Sequence, residues 1–177
     1  HINYLAQNRE AHNPGNWNAI KMLGSNGEFI SAAEGEAILA IADAEEFDFV
    51  TVQHLGKVSQ NDTYIDWHIE QVLALPLVNV EAIKAKKFRV VIDCVNSTGG
   101  IALPKLLEAL GVDHVEKLYC IPDGKFPHNP EPLPENLTEI CKKLKDGNYH
   151  LGLVVDPDVD RLAIVCEDGT PFEEEYT

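Results

Sequence analysis

The hydrophobic and polar positions change rhythm partway along the chain. From Phe88 onward, short apolar runs alternate with segments that repeat an apolar residue every three or four positions. Phe88-Arg89-Val90-Val91-Ile92-Asp93-Cys94-Val95 reads as a buried strand. Leu103, Leu106, Leu107 and Leu110 then fall at i, i+3, i+4 and i+7, one face of a helix that Gly111 stops. A strand is expected at residues 115–121, followed by a loop through Pro122, Pro127, Pro130 and Pro132. Pro134 opens a helix with Leu137, Ile140, Cys141 and Leu144 on one face, ended by Gly147. Two more strands, 150–155 and 162–166, flank an acidic loop, and Glu167-Asp168-Gly169 turns the chain. Strand, helix, strand, helix, strand at this spacing predicts an α/β fold of three-layer α/β/α units with a mixed, mainly parallel sheet.

Upstream the pattern is looser. Asn13-Pro14-Gly15-Asn16 and Gly24-Ser25-Asn26-Gly27 bracket a short run at 17–23, a loop leading into a hairpin. Ser31 and Glu34 have the spacing of a capping box, and Ile38, Ile41 and Ala42 behind them predict a helix to about Glu46. A short extended piece is expected near 49–52. A second helix starts at Asp62 or Thr63, carries Ile65, Ile69, Val72 and Leu73 on one face, and stops at Pro76. The domain boundary is placed at residues 80–87, where Lys84-Ala85-Lys86-Lys87 leads into the first strand, dividing the chain into 1–82 and 83–177.

Composition narrows the range of partners. Lysine and arginine total 14 against 29 aspartates and glutamates, a formal net charge of −15, with 45% hydrophobic and 24% charged residues. This is a globular composition, and its charge opposes a basic face for nucleic acid or an anionic membrane. The longest apolar stretch, 72–80, is broken by Pro76 and Asn79 and falls far short of the roughly 20 residues that cross a bilayer. No transmembrane segment or signal peptide is expected. The four cysteines, Cys94, Cys120, Cys141 and Cys166, form no C-x-x-C pair and read as reduced core thiols of a cytoplasmic protein.

The sharpest chemical signal is Asp156-Pro157-Asp158-Val159-Asp160-Arg161, directly after an apolar strand. In an extended loop alternate residues point the same way, so three carboxylates at i, i+2 and i+4 converge on one hard cation such as Mg2+. Without the cation they repel, and at least one pKa rises. Two other readings stand beside this one. The loop can be a solvated acidic turn, or part of a calcium EF-hand with Glu167 at position 12. The EF-hand reading meets Arg161 where glycine is needed, and strands where helices should flank. Two further signals are weaker: His12-Asn13-Pro14 followed by Asn18 and Lys21, and the Ser97-Thr98-Gly99-Gly100 loop. That loop can present backbone N–H groups to an anion, or its glycines can serve close packing of helix on strand.

Together these residues resemble the α-D-phosphohexomutase superfamily of phosphoglucomutases, phosphomannomutases and phosphoglucosamine mutases, from about residue 11 to the end. Asp156–Arg161 is similar to the metal loop Asp-Gly-Asp-x-Asp-Arg, with Pro157 in place of glycine. His12-Asn13-Pro14 with Lys21 is similar to the catalytic loop Thr-x-Ser-His-Asn-Pro and its following lysine. Val91-Ile92-Asp93 with Gly99-Gly100, and Pro130-Glu131-Pro132 leading to Glu135-Asn136-Leu137, resemble the family's second domain. The resemblance implies Mg2+-dependent phosphoryl transfer between the 1- and 6-positions of a hexose phosphate, of glucose, mannose or glucosamine, through a phosphoserine and a bisphosphorylated sugar. It implies Asp156, Asp158 and Asp160 as metal ligands, Arg161 as a partner for phosphate charge, and Lys21 and His12 as groups for proton transfer or charge stabilisation at the sugar hydroxyl.

Two departures qualify the match. Ala11 stands where the family has its nucleophilic serine, and a methyl group accepts no phosphoryl. Either the serine is replaced, or one lies beside Ala11 in the parent protein; residues 1–10 do not read as the strand that precedes this loop in the family. The resemblance also ends inside the second domain. A fragment of a mutase is therefore expected, inactive by itself and partnered by the remaining domains of the same enzyme. The alternative is a non-catalytic α/β module that binds a metal or sugar phosphate. A hydrolase using water on the same aspartates is a further one.

Overall fold

The computed structural model describes residues 4–8, 19–45 and 47–172, and the chain divides into two compact units, His1–Asn61 and Asp62–Thr177. In the first, strand β1 (Tyr4–Asn8) pairs antiparallel with β2 (Ala19–Leu23), from Tyr4↔Leu23 to Asn8↔Ala19. Residues 1–10, which the sequence did not mark as a strand, thus contain one at Tyr4–Asn8. Pairing across the ladder overrides weak local preference. Helix α1 (Ala32–Ala44) follows, with the expected capping box: Ser31 Oγ accepts from the Glu34 amide at 3.3 Å, and the Glu34 carboxylate accepts from the Ser31 amide at 2.8 Å.

The second unit contains α2 (Tyr64–Leu73), α3 (Val80–Lys86), β3 (Arg89–Asp93), α4 (Gly99–Ala109), β4 (His114–Leu118), α5 (Thr138–Asp146), β5 (Leu151–Val155), β6 (Leu162–Cys166) and β7 (Pro171–Phe172). The sheet order is β4-β3-β5-β6-β7. β3 is parallel to β4 and β5, whereas β6 is antiparallel to β5 and to β7, so only β6 runs against the others. The sheet is mixed and mainly parallel, as the spacing predicts.

β3 is buried on both faces, which explains its nearly continuous apolar run. Val90, Ile92 and Cys94 pack with Leu103, Leu107 and Val112 on the α4 side. Val91 packs with Leu137, Ile140 and Leu144 on the α5 side. These two clusters are the outer seams of a three-layer α/β/α unit.

α3 was not foreseen. Asn79 Oδ1 caps it by accepting from the Ala82 amide at 3.0 Å, and Lys87, with φ of 49°, ends it in the left-handed region. The basic run at the expected boundary falls in this helix's last turn and C-cap. The compact unit begins at Asp62, ahead of the expected boundary, because α2 packs on α4, where Lys105 and Asp66 pair at 2.7 Å.

The topology positions the site. The chain leaves β3 toward β4 on one side and returns to β5 on the other, so the strand order reverses between β3 and β5. Ligand crevices of open α/β sheets lie at the carboxyl ends of strands beside such a reversal. Asp93 ends β3 there, and Asp156 follows β5.

Candidate functional site

Asp156 is fully buried at the end of β5. The chain then turns tightly: the Val159 amide donates to the Asp156 carbonyl at 3.2 Å, and Val159 has φ of 64°. That conformation is rare for a β-branched residue. The loop is therefore not the extended segment expected, and convergence of its acidic side chains comes from the turn. Asp156 Oδ1 accepts from the amides of Asp160 at 3.1 Å and Arg161 at 3.2 Å. Its Oδ2 is buried with no hydrogen-bond partner among the described residues. One carboxylate oxygen from each of Asp156, Asp158 and Asp160 lies within 4.8 Å of the others.

Burial pushes the Asp156 carboxyl up to about 6; the Arg161 amide opposes this, while the carboxylates of Asp158 and Asp160 add to it. Asp158 and Asp160 themselves are exposed. An orphaned buried acceptor beside two further carboxylates is an all-oxygen donor set, which suits a hard divalent cation.

Two neighbouring segments fix the loop. Ser97 Oγ and Thr98 Oγ1 both donate to the buried Pro157 carbonyl, at 2.7 and 2.8 Å. Arg161 Nη1 donates to Glu131 Oε1 at 3.0 Å, beside a cleft of about 290 Å3 lined also by Asp160, Leu133 and Phe172. The segment that carries Glu131 is itself anchored on β3. His128 Nε2 faces Asp93 Oδ2 at 3.1 Å, and its Nδ1 faces the Asn129 carbonyl at 2.7 Å. With acceptors on both ring nitrogens the imidazolium is favoured, and Asp93 accordingly raises the His128 pKa.

We expect Ser97→Ala combined with Thr98→Val to lower the unfolding free energy by about 1–3 kcal/mol, since the buried carbonyl loses both donors. Urea unfolding checks this; an unchanged midpoint would mean that water replaces the hydroxyls.

The structure brings Asp156, Asp158, Asp160 and Arg161 together in one loop. Lys21 lies half-buried on β2 of the first unit, while Ala11 and His12 lie outside the described residues. The glycine pair serves close packing: a Cβ would meet Val155 Cγ2 at 2.5 Å from Gly99 and the Cys120 carbonyl oxygen at 2.4 Å from Gly100. The Gly100 amide is already bonded to the Ser97 carbonyl at 3.0 Å. Sequence reasoning did not single out Glu131, Asp93 or His128 as parts of the loop's support. Their partners are 30 or more residues away, and no local pattern marks such pairs.

Fold and site together define a doubly wound α/β domain that carries a carboxylate cluster where the strand order reverses. Residues 63–169 match the phosphoglucomutase/phosphomannomutase alpha/beta/alpha domain II, and the chain belongs to that family. It is 36% identical over 162 residues to a phosphomannomutase/phosphoglucomutase of Pseudomonas aeruginosa, covering 90% of this chain and 32% of that protein. It is 33% identical over 161 residues to a phosphoglucomutase of Neisseria meningitidis, covering 90% of this chain and 33% of that one. A crystal structure of a phosphoglucomutase/phosphomannomutase family protein from Burkholderia thailandensis superposes with a TM-score of 0.69 at 30% identity, over 90% of this chain and 32% of the other. The chain thus spans about a third of the length of these relatives.

Proposed function

We propose that this chain is part of a phosphohexomutase, an isomerase that moves a phosphoryl group between the 1- and 6-positions of a hexose phosphate and requires Mg2+. The observation that carries the reading is the convergence of one carboxylate oxygen each from Asp156, Asp158 and Asp160, with Asp156 Oδ2 buried and unpartnered. Family membership supplies the reaction class, and the names of the relatives supply glucose, mannose and glucosamine phosphates as substrate classes.

In this reading Asp156, Asp158 and Asp160 hold Mg2+, which supplies positive charge for the phosphoryl oxygens when bound. Arg161 places a guanidinium beside the same loop, where it pairs with substrate phosphate. His12 and Lys21 move or stabilise the proton of the attacking sugar hydroxyl. The nucleophile is a serine at or next to Ala11, and the remaining domains of the enzyme bind the sugar. A cytoplasmic location suits this substrate; among the described residues no helix is long and apolar enough to cross a membrane.

Asp158→Asn removes one anionic ligand while leaving the buried part of the loop intact. We expect it to weaken Mg2+ binding about tenfold or more in titration calorimetry on this chain. An unchanged affinity would overturn the metal assignment.

A second reading is favoured by one observation, Ala11 itself. If that alanine is native, the chain is a non-catalytic module that binds Mg2+ or a sugar phosphate. Peptide sequencing across residues 1–21 of the parent protein separates the two. A serine or phosphoserine next to Ala11 supports the mutase, and an uninterrupted Ala11-His12 supports the binding module. Release of inorganic phosphate from a hexose phosphate would point instead to a hydrolase.

A further inference from the structure

The sequence separates the cysteines by more than 20 residues. The fold reunites two of them. We propose that Cys94 and Cys120 form an oxidisable dithiol, a modification site at which hydrogen peroxide closes an intramolecular disulfide on the α4 side of the core. This goes beyond the phosphohexomutase reading and does not depend on it.

Cys94 follows β3 and Cys120 follows the adjacent parallel strand β4. The two segments stay bonded past the strand ends, where the Cys94 amide donates to the Leu118 carbonyl at 3.3 Å and the Asn96 amide to the Tyr119 carbonyl at 2.6 Å. Between those bonds the backbone turns through left-handed residues, Val95 at φ 45°, Asn96 at 54° and Tyr119 at 51°. Left-handed valine is an outlier of the kind stored at functional sites. Both cysteine side chains join one apolar cluster, Cys94 fully buried and Cys120 partly exposed. They also rest against consecutive glycines at the start of α4. A Cβ on Gly99 would lie 3.5 Å from Cys94 Sγ, and one on Gly100 would lie 2.9 Å from Cys120 Cα.

The thiols are hydrogen-bonded in series. Cys94 S–H donates to the Cys120 sulfur, and Cys120 S–H donates to the Leu118 carbonyl at 3.2 Å. The arrangement divides the labour. Donation from Cys94 lowers the Cys120 pKa, and the same bond together with burial raises that of Cys94. Cys120, the more exposed and more acidic thiol, is the one that meets the oxidant.

In the first step the Cys120 thiolate forms an S–O bond to peroxide and the O–O bond breaks. Hydroxide leaves, takes up the proton and becomes water, and Cys120 is a sulfenic acid. The Cys94 sulfur then attacks the Cys120 sulfur. An S–S bond forms, the S–O bond breaks, and the departing hydroxide carries off the Cys94 proton as a second water. Two thiols and one peroxide give one disulfide and two waters; the thiols lose two electrons and peroxide gains them.

The test uses the folded chain with near-stoichiometric hydrogen peroxide, followed by alkylation in denaturant and peptide mapping. The expected product has lost two hydrogen atoms, links Cys94 to Cys120, carries alkylated Cys141 and Cys166, and reverts with dithiothreitol. A Cys141→Ser, Cys166→Ser double variant gives the same link, and Cys120→Ala gives none. A Cys141–Cys166 link, a sulfinic acid on Cys120 with Cys94 still alkylated, or four alkylated thiols would each overturn the proposal. Mg2+ titration of the reduced chain is unaffected by any of these outcomes, so failure here is distinguishable from failure of the metal site.

Discussion

Asp156→Asn is expected to stabilise the metal-free chain and to abolish its response to Mg2+. Asparagine keeps Oδ1, which accepts from the amides of Asp160 and Arg161. It replaces the orphaned Oδ2 with an NH2 group that can donate to the neighbouring carboxylates. The wild-type carboxylate is disfavoured at the same place by burial and by like charge. Its pKa rises from 3.8 to about 6 on folding, so the folded state binds this proton more tightly than the unfolded state. Stability from this group is therefore fully present below pH 4 and is lost as pH rises through about 6. At pH 8 the variant should gain on the order of 1–3 kcal/mol over wild type. Between pH 8 and pH 5 roughly 1 kcal/mol of that gap should close, because wild-type Asp156 takes up its proton. Thermal unfolding of both chains at the two pH values, with and without Mg2+, checks each part. A cation bound only by the folded state raises the wild-type midpoint with concentration, and the variant should show no such rise. A variant less stable than wild type at pH 8, or one still protected by Mg2+, would show that the buried oxygen has another purpose.

The same residue shows what sequence can and cannot convey. Three aspartates at alternate positions after an apolar run suffice to suggest a hard-cation loop. The geometry they suggest is an extended strand-like segment, whereas the observed turn depends on left-handed Val159 and on two amides folding back onto Asp156. Elements with strong periodicity were legible for a related reason. The leucines of α4 and the Leu137, Ile140 and Leu144 face of α5 each encode one buried stripe, and the capping box of α1 is purely local. α3 was hidden because its lysines lie in the last turn of a seven-residue helix, where a basic run looks like a linker. Glu131, Asp93 and His128 were hidden for a different reason. Their roles are pairwise and long-range, and a sequence states neither partner nor distance. Ser97 and Thr98 fall between these cases: their loop stood out, but the Pro157 carbonyl that they hold emerges only once β3 and β5 are neighbours.

Gly100→Ala should destabilise the second unit, against the trend for helices. Gly100 lies in the first turn of α4, and helix propensity alone would credit alanine there with up to about 1 kcal/mol. The added Cβ would instead meet the Cys120 carbonyl oxygen at 2.4 Å, its carbon at 2.7 Å and Cys120 Cα at 2.9 Å. Backbone cannot rotate aside as a side chain can, so α4 must lift from the sheet or the segment after β4 must shift. Either movement disturbs the cluster of Val90, Ile92, Cys94 and Leu107. Strain of this kind typically costs about 1–3 kcal/mol or more, which for a unit of this size lowers the midpoint by roughly 5–10 °C. Gly99→Ala provides the comparison. Its Cβ would meet Val155 Cγ2 at 2.5 Å, the end of a side chain, and Cys94 Cβ at 3.3 Å. A change of Val155 rotamer can relieve the first contact, so we expect a smaller loss. Thermal unfolding of the two variants side by side decides the matter. Equal losses would mean that the segment after β4 yields as easily as a valine side chain. A stabilised Gly100→Ala would mean that helix propensity outweighs the close approach of α4 to the sheet, and Ser97 and Thr98 would then owe their position beside Pro157 to something other than that contact.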